Sequence, residues 1–170
     1  MGRPVHLYAI ALGSNRPHGR HGAPEGVVRA VVEELSALGT VEAISRIHRT
    51  AAIGPAGRSF ANAAVILATD LEPVALLAAL KRIERRFGRR PGRRWGPRVL
   101  DLDIILWSGG AWQEPGLLIP HAEFRARHFV LQPLAELAPD WRDPITGATM
   151  RQLLYRRRSG RPVDPRRAPT

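Results

Sequence analysis

The sequence predicts an α+β fold in which helices pack on an antiparallel sheet. Two observations carry the prediction. Four stretches of strand character, at 5–12, 41–49, 60–69 and 99–106, are interrupted by two segments of helical period, at 24–38 and 73–87. Breaks at Gly13-Ser14-Asn15, Gly39, 50–59, Asp70 to Pro73 and 88–98 separate them, which gives the order β-α-β-β-α-β. A third observation bounds the size. The chain has 170 residues and 44% of them are hydrophobic, enough for one real core and too few for two ordinary domains.

The elements follow in order. Residues 5–12 are an apolar run that stops at Gly13-Ser14-Asn15, a buried strand and then a turn. Val27, Val28, Val31, Val32, Leu35 and Leu38 recur at helical spacing, with Gly39 as the stop. Over 41–49, Val41, Ala43, Ser45 and Ile47 alternate with Glu42, Ile44, Arg46 and His48, the period of a strand. Gly54, Pro55 and Gly57 make 50–59 a loop, and 60–69 is β-rich again. Asp70 and Pro73 open a helix to about Phe87, with Leu76, Leu77, Leu80 and Ile83 on its apolar face. After the 88–98 loop comes the strand at 99–106. Residues 112–119 offer an edge strand, and 124–137 and 149–154 offer short helices. This is the ferredoxin-like split arrangement, expected as a two-layer core with extra C-terminal helices. One domain is expected over 1–154. The tail at 155–170, with three consecutive arginines and Pro162, Pro165 and Pro169, reads as a basic disordered extension.

Composition removes several function classes. There is no cysteine, so disulfides, thiolate nucleophiles and Cys-ligated zinc are excluded. No apolar run approaches the ~18 residues of a membrane helix, and the first residues lack the apolar stretch of a signal peptide, so the expected compartment is the cytoplasm. The formal net charge is +11, but its distribution matters more than its size. Seven arginines against Asp164 leave 151–170 at +6, and nine basic residues against Glu84 leave 81–98 at +8. The remainder therefore carries −3. Only Lys81 is lysine, an imbalance that GC-rich codon usage accounts for in part.

The chemistry concentrates in 94–105. In a strand, residues two apart share a face, so Asp101 and Asp103 project side by side while Leu100, Leu102 and Ile104 line the core face. Two adjacent carboxylates repel. A divalent cation relieves that repulsion, and hard oxygen donors without Cys favour Mg²⁺. Solvated acids on an outer strand face are the alternative for Asp-x-Asp alone. Upstream lie Arg89, Arg90, Arg93, Arg94 and Arg98, and metal carboxylates beside guanidinium groups are the parts needed to handle a polyphosphate. Neither a GxxxxGK[ST] loop nor a GxGxxG is present.

These residues resemble the 6-hydroxymethyl-7,8-dihydropterin pyrophosphokinase family over about residues 5–154. The signature basic-x-Gly-Pro-Arg-x-x-Asp-Leu-Asp-aliphatic-aliphatic is met in full by 94–105. Four further features stand in register. They are Ala11-Leu-Gly-Ser-Asn15, Arg49-Thr50 with Ile53-Gly54-Pro55, Phe60-Ala-Asn62-Ala-Ala, and Ile119-Pro-His121 leading to Arg127 and Phe129. The resemblance implies transfer of the β,γ-pyrophosphoryl unit of ATP to the hydroxymethyl oxygen of the pterin, leaving AMP, in folate biosynthesis. It implies two Mg²⁺ ions on Asp101 and Asp103, and ATP contacts from Glu84, Arg89, Trp95, Arg98, His121 and Arg127. Trp95 falls in a loop that closes over the site, and Arg89, Arg98 and Asp103 fall at the catalytic positions. The pterin would lie among Thr50, Ile53, Phe60, Asn62, Trp95 and Phe129. Gly116 and Leu118 depart from the family, which often has Arg and Thr there, and Ala51-Ala52 replaces a proline-containing stretch; neither touches the Asp pair.

The residues on the pterin side make independent sense. Phe60 and Asn62 share a strand face, and a flat heterocycle needs a ring to stack on and an amide matching its donor–acceptor edge. An ordinary core aromatic is the bland alternative for Phe60 and for Phe129. No role falls to His6, His18, His21, His48 or His128. The alternative from another class is a nucleic-acid-binding module, invited by a pI near 11.6 and by a topology that many RNA-recognition domains share. That reading expects aromatic and basic residues on the central strands, whereas the first strand carries only Tyr8 and the basic residues avoid the strands. A monomer without nucleic acid or membrane partners is the expectation.

Overall fold

The computed structural model describes residues 2–15, 21–50, 60–88 and 99–159. Strand β1 (His6–Ser14) leads through helix α1 (Pro24–Ser36) to β2 (Thr40–Ile44) and β3 (His48–Thr50). Strand β4 (Phe60–Thr69), helix α2 (Pro73–Arg86) and β5 (Asp101–Trp107) complete the expected β-α-β-β-α-β core. A small hairpin of β6 (Trp112–Glu114) and β7 (Leu117–Ile119) follows, then a 3-10 turn at Phe124–Ala126, helix α3 (His128–Leu137) and helix α4 (Met150–Arg158). The main sheet has the order β2-β4-β1-β5, with β3 also pairing β4, and every pairing is antiparallel.

Both faces of this sheet are covered. Tyr8, Ile10, Leu12, Ala63, Val65, Leu67, Leu102 and Ile104 pack with Val27, Val28, Val31 and Leu35 of α1 and Leu76, Leu80 and Ile83 of α2. On the other face Ala9, Ala11, Ala64, Ile66, Ile105 and Leu106 pack with Val130, Leu131 and Leu134 of α3 and Leu153 of α4. The molecule therefore has three layers rather than the two expected. The reason is visible in β4, buried at every residue from Ala61 to Thr69. A strand buried on both faces reads as a continuous apolar run, and such a strand requires a layer on each side.

Other boundaries shift for local reasons. Strand β1 runs on through Gly13 and Ser14, because Gly13 pairs with both Asn62 and Asp101 and the buried Ser14 hydroxyl donates to Val99 O at 2.5 Å. The expected single strand at 41–49 divides into β2 and β3. At the break Ser45 substitutes for ladder pairing: its N–H donates to Ala64 O at 3.0 Å, and its hydroxyl accepts from Ala64 N–H at 2.9 Å. Residues 112–119 form their own hairpin and do not extend the main sheet. Helix α4 opens with a capping box, Thr149 and Gln152 exchanging side-chain bonds with each other's N–H, a device worth about 1 kcal/mol. It continues to Arg158, four residues past the boundary expected at 154; the rest of the basic tail, 160–170, lies outside the described residues.

Candidate active site

Strand register lines up the chemistry. One row across the sheet runs His48 of β3, Asn62 of β4, Gly13 of β1 and Asp101 of β5; the next has Ala64, Ala11 and Asp103. Directly opposed residues share a face. Ala11 and Ala64 belong to the cluster under α3, so Asp101 and Asp103 both project on the α3 side, about 6.6 Å apart along the strand. Leu100, Leu102 and Ile104 are only 1%, 4% and 4% exposed, on the core side as expected. The carboxylates are half-buried, in a strand whose other residues are Leu102, Ile104, Ile105, Leu106 and Trp107. Two hard oxygen donors on one face, open enough to accept phosphate oxygens and water as further ligands, fit Mg²⁺.

Gly13 stands between Asp101 and Asn62 in that row. A Cβ there would stand 3.2 Å from Asn62 Oδ1, so the absent side chain is the space in which the amide lies. Asn62 itself is 5% exposed, a buried amide rather than a surface one. Phe60, two residues earlier on the same strand face, is 43% exposed, and its register partner is Thr50 of β3. Phe129, in the first turn of α3, is 42% exposed. Neither phenylalanine is a core aromatic; both leave ring surface open.

His121 is fixed by a strand irregularity. Between Ala9 and Ile10 the β1–β5 register shifts, which makes Ile105 an extra residue in a β-bulge. Its carbonyl accepts His121 N–H at 3.1 Å. Bulges commonly re-aim groups beside a site, and this one anchors a loop residue directly to the strand that carries the Asp pair. The His121 Nδ1 accepts from Glu123 N–H at 3.2 Å, so in the neutral ring the proton sits on Nε2, a donor left for an anion. Arg127, at the N-terminus of α3, pairs with Glu123 and lies over the Phe129 ring, 5.8 Å from its centroid.

The segment between His121 and Arg127 is tied down from beneath. Arg125 donates to both oxygens of Asp143, at 2.5 and 2.8 Å, and Asp143 also accepts from Ile145 N–H and the Thr146 hydroxyl. Burial pushes the Asp143 carboxyl up, but those bonds and the guanidinium charge outweigh it and hold its pKa below the ordinary carboxylate value. Sequence reasoning missed this pair. The signal available was Asp143-Pro144-Ile145-Thr146-Gly147, a string in which Asp and Thr side chains close a turn.

The structure thus brings Asp101, Asp103, Asn62 and Phe60 to one sheet face, under the layer that carries Phe129. Glu84 is buried, 3% exposed, in α2, the layer on the opposite face. Arg89, Trp95, Arg98 and Ile53 lie outside the described residues, as does the side chain of Thr50 and the arginine loop expected to act as a lid.

Comparison with known proteins adds the family. The sequence matches the family model for 7,8-dihydro-6-hydroxymethylpterin-pyrophosphokinase over residues 9–139. A 2-amino-4-hydroxy-6-hydroxymethyldihydropteridine pyrophosphokinase of Methylorubrum extorquens is 38% identical over 148 residues, 85% of this chain and 89% of that one. Its Pseudomonas aeruginosa counterpart is 41% identical over 138 residues, 79% and 82% of the two chains. The Synechocystis counterpart is 45% identical, over 67% of this chain and 58% of its own length. Among solved structures, a Plasmodium falciparum HPPK-DHPS triple mutant with STZ-DHP has the same fold, with TM-score 0.68 over 91% of this chain at 13% identity, and this chain spans 44% of its length. The matched residues run from β1 to the end of α3 and include the Asp pair, His121 and Arg127, so the chain belongs to the 7,8-dihydro-6-hydroxymethylpterin-pyrophosphokinase family, transferases that move pyrophosphate from ATP to hydroxymethyldihydropterin in folate biosynthesis.

Proposed function

We propose that this chain carries out that transfer with the site built on β5 and α3: the pterin hydroxymethyl oxygen attacks the β-phosphorus of ATP and loses its proton to solvent, the bond from that phosphorus to the α-phosphate oxygen breaks, and AMP leaves. The observation that carries the proposal is the row Asn62–Gly13–Asp101, with Asp103 one step along, which puts a heterocycle-matching amide and a metal-binding acid pair on one face.

Asp101 and Asp103 would hold two Mg²⁺ ions, which supply charge neutralisation on the phosphate oxygens and orient them for displacement. His121 Nε2–H and the Arg127 guanidinium donate to the phosphate chain, with Arg127 exchanging its Glu123 partner for phosphate. Arg89 and Arg98 are assigned the charge that develops at the reacting phosphorus. Phe60 and Phe129 stack the pterin, Asn62 reads its amide-like edge, and Thr50 and Ile53 flank it. Trp95 and the arginine loop close over both substrates and exclude water. Most of the rate then comes from holding the two reactants in line and from neutralising charge. A monomer acting in the cytoplasm, without nucleic acid, completes the proposal.

The test is product identity. Incubated with ATP, Mg²⁺ and 6-hydroxymethyl-7,8-dihydropterin, the protein should form AMP and the pterin diphosphate in equal amounts. Stoichiometric ADP would place the attack at the γ-phosphorus and end this reading.

A further inference from the structure

We infer that Glu136 and His48, outside the residues assigned above, form a positioning pair that sets the pterin slot; this rests on the proposed function and names what holds its two walls together. Glu136 lies in the last turn of α3 and accepts three bonds, two from Arg46 in the break before β3 and one from the first residue of β3: Arg46 N–H at 3.0 Å, Arg46 Nε–H at 3.3 Å and His48 Nε2–H at 2.8 Å. Burial pushes the Glu136 carboxyl up, but these donors outweigh it and keep the group ionised at neutral pH. The pair is partly shielded, with side chains 17% and 27% exposed for His48 and Glu136.

What the pair joins gives it meaning. His48 is the register partner of Asn62, and two residues on, Thr50 is the partner of Phe60. One wall of the slot is therefore β3 and β4, and the other is α3 with Phe129. Helix α3 does not hold its own register fully. Pro133 has no N–H to give the Phe129 carbonyl four residues before it, so the turn bearing the stacking ring lacks that ladder bond. Val130, Leu131 and Leu134 hold the helix down on the sheet through apolar contact, which is non-directional. The directional bonds of Glu136 fix α3 along its axis and against β3. A slot whose walls shift by an ångström loses stacking and amide contacts together, and misplacement on that scale costs up to about 100-fold.

The experiment measures pterin affinity directly by its fluorescence, in the presence of Mg²⁺ and a non-hydrolysable ATP analogue, for wild type, Glu136→Gln, His48→Ala and the double variant. Glu136→Gln is isosteric and keeps one acceptor for Arg46 N–H, and far-UV circular dichroism verifies that each protein is folded. Each single change should weaken pterin binding about tenfold while the affinity for the ATP analogue stays within about twofold, and the double variant should be no worse than either single. Unchanged pterin affinity overturns the inference, as do parallel losses for both ligands or effects that add in the double variant. A wild type that binds the ATP analogue but no pterin overturns the parent reading and the inference with it, so the two failures are distinct.

Discussion

Replacing Asp143 with Asn tests whether the buried ion pair under the 121–127 segment does what its geometry implies. Asp143 is fully buried, and its partner Arg125 has a side chain only 13% exposed. The substitution keeps shape and one acceptor oxygen but leaves the guanidinium without a counter-charge. Removing one partner of a buried pair costs about 3–5 kcal/mol, and the retained acceptor puts Asp143→Asn near the lower end, about 3 kcal/mol. For a chain of this size each kcal/mol moves Tm by about 2–4 °C, so Tm at pH 7 should fall by about 6–12 °C. The pH dependence gives a sharper test. A carboxyl whose folded pKa is depressed adds stability above its ordinary value near 3.8 and loses it as pH falls through the folded value. The gap in Tm between wild type and Asp143→Asn, followed by circular dichroism, should therefore be widest above pH 5 and narrow steadily below pH 4. Taking the difference removes the acid sensitivity that other carboxylates contribute to both proteins. A Tm within 2 °C of wild type at pH 7, or a gap that stays constant down to pH 3, refutes the argument.

Other outcomes follow from the same geometry. Asp103→Ala should lower turnover at saturating Mg²⁺ by more than about 100-fold without loss of Tm, because it removes one of two like charges on the same face; near-wild-type turnover makes the pair a surface feature. Gly13→Ala places a Cβ 3.2 Å from Asn62 Oδ1 and should raise the KM for pterin about tenfold, leaving the KM for ATP alone, as steady-state kinetics with each substrate varied will show. Thr149→Ala deletes the capping box of α4 and should cost about 1 kcal/mol, read as a fall in Tm of about 2–4 °C with kinetics unchanged.

Local chemistry made much of this protein legible from its sequence. The alternation of Leu100, Leu102 and Ile104 with Asp101 and Asp103 sorts core from site with no knowledge of neighbours, because a strand has a period of two. Pro73, and the helical spacing of Leu76, Leu80 and Ile83, likewise define α2 within the segment itself. Order and type of the core elements followed from such signals, apart from the division of 41–49 into β2 and β3, while the motif residues came from resemblance to the family. What the sequence could not carry are relations between segments far apart in the chain. That Asn62, Gly13 and Asp101 stand in one row depends on strand register, which is set by pairing across the sheet. The bulge at Ile105 that anchors His121, the Arg125–Asp143 pair and the Glu136 bonds to Arg46 and His48 each join residues whose separate identities are unremarkable. Even the third layer was decided by the tertiary structure. The apolar run of β4 shows that both faces are buried, but only the packing of α3 and α4 determines what buries the second. Propensity and period act over a few residues, so they are written in the chain. The positions of the site's groups arise where separate elements meet, so they exist only once the chain has folded.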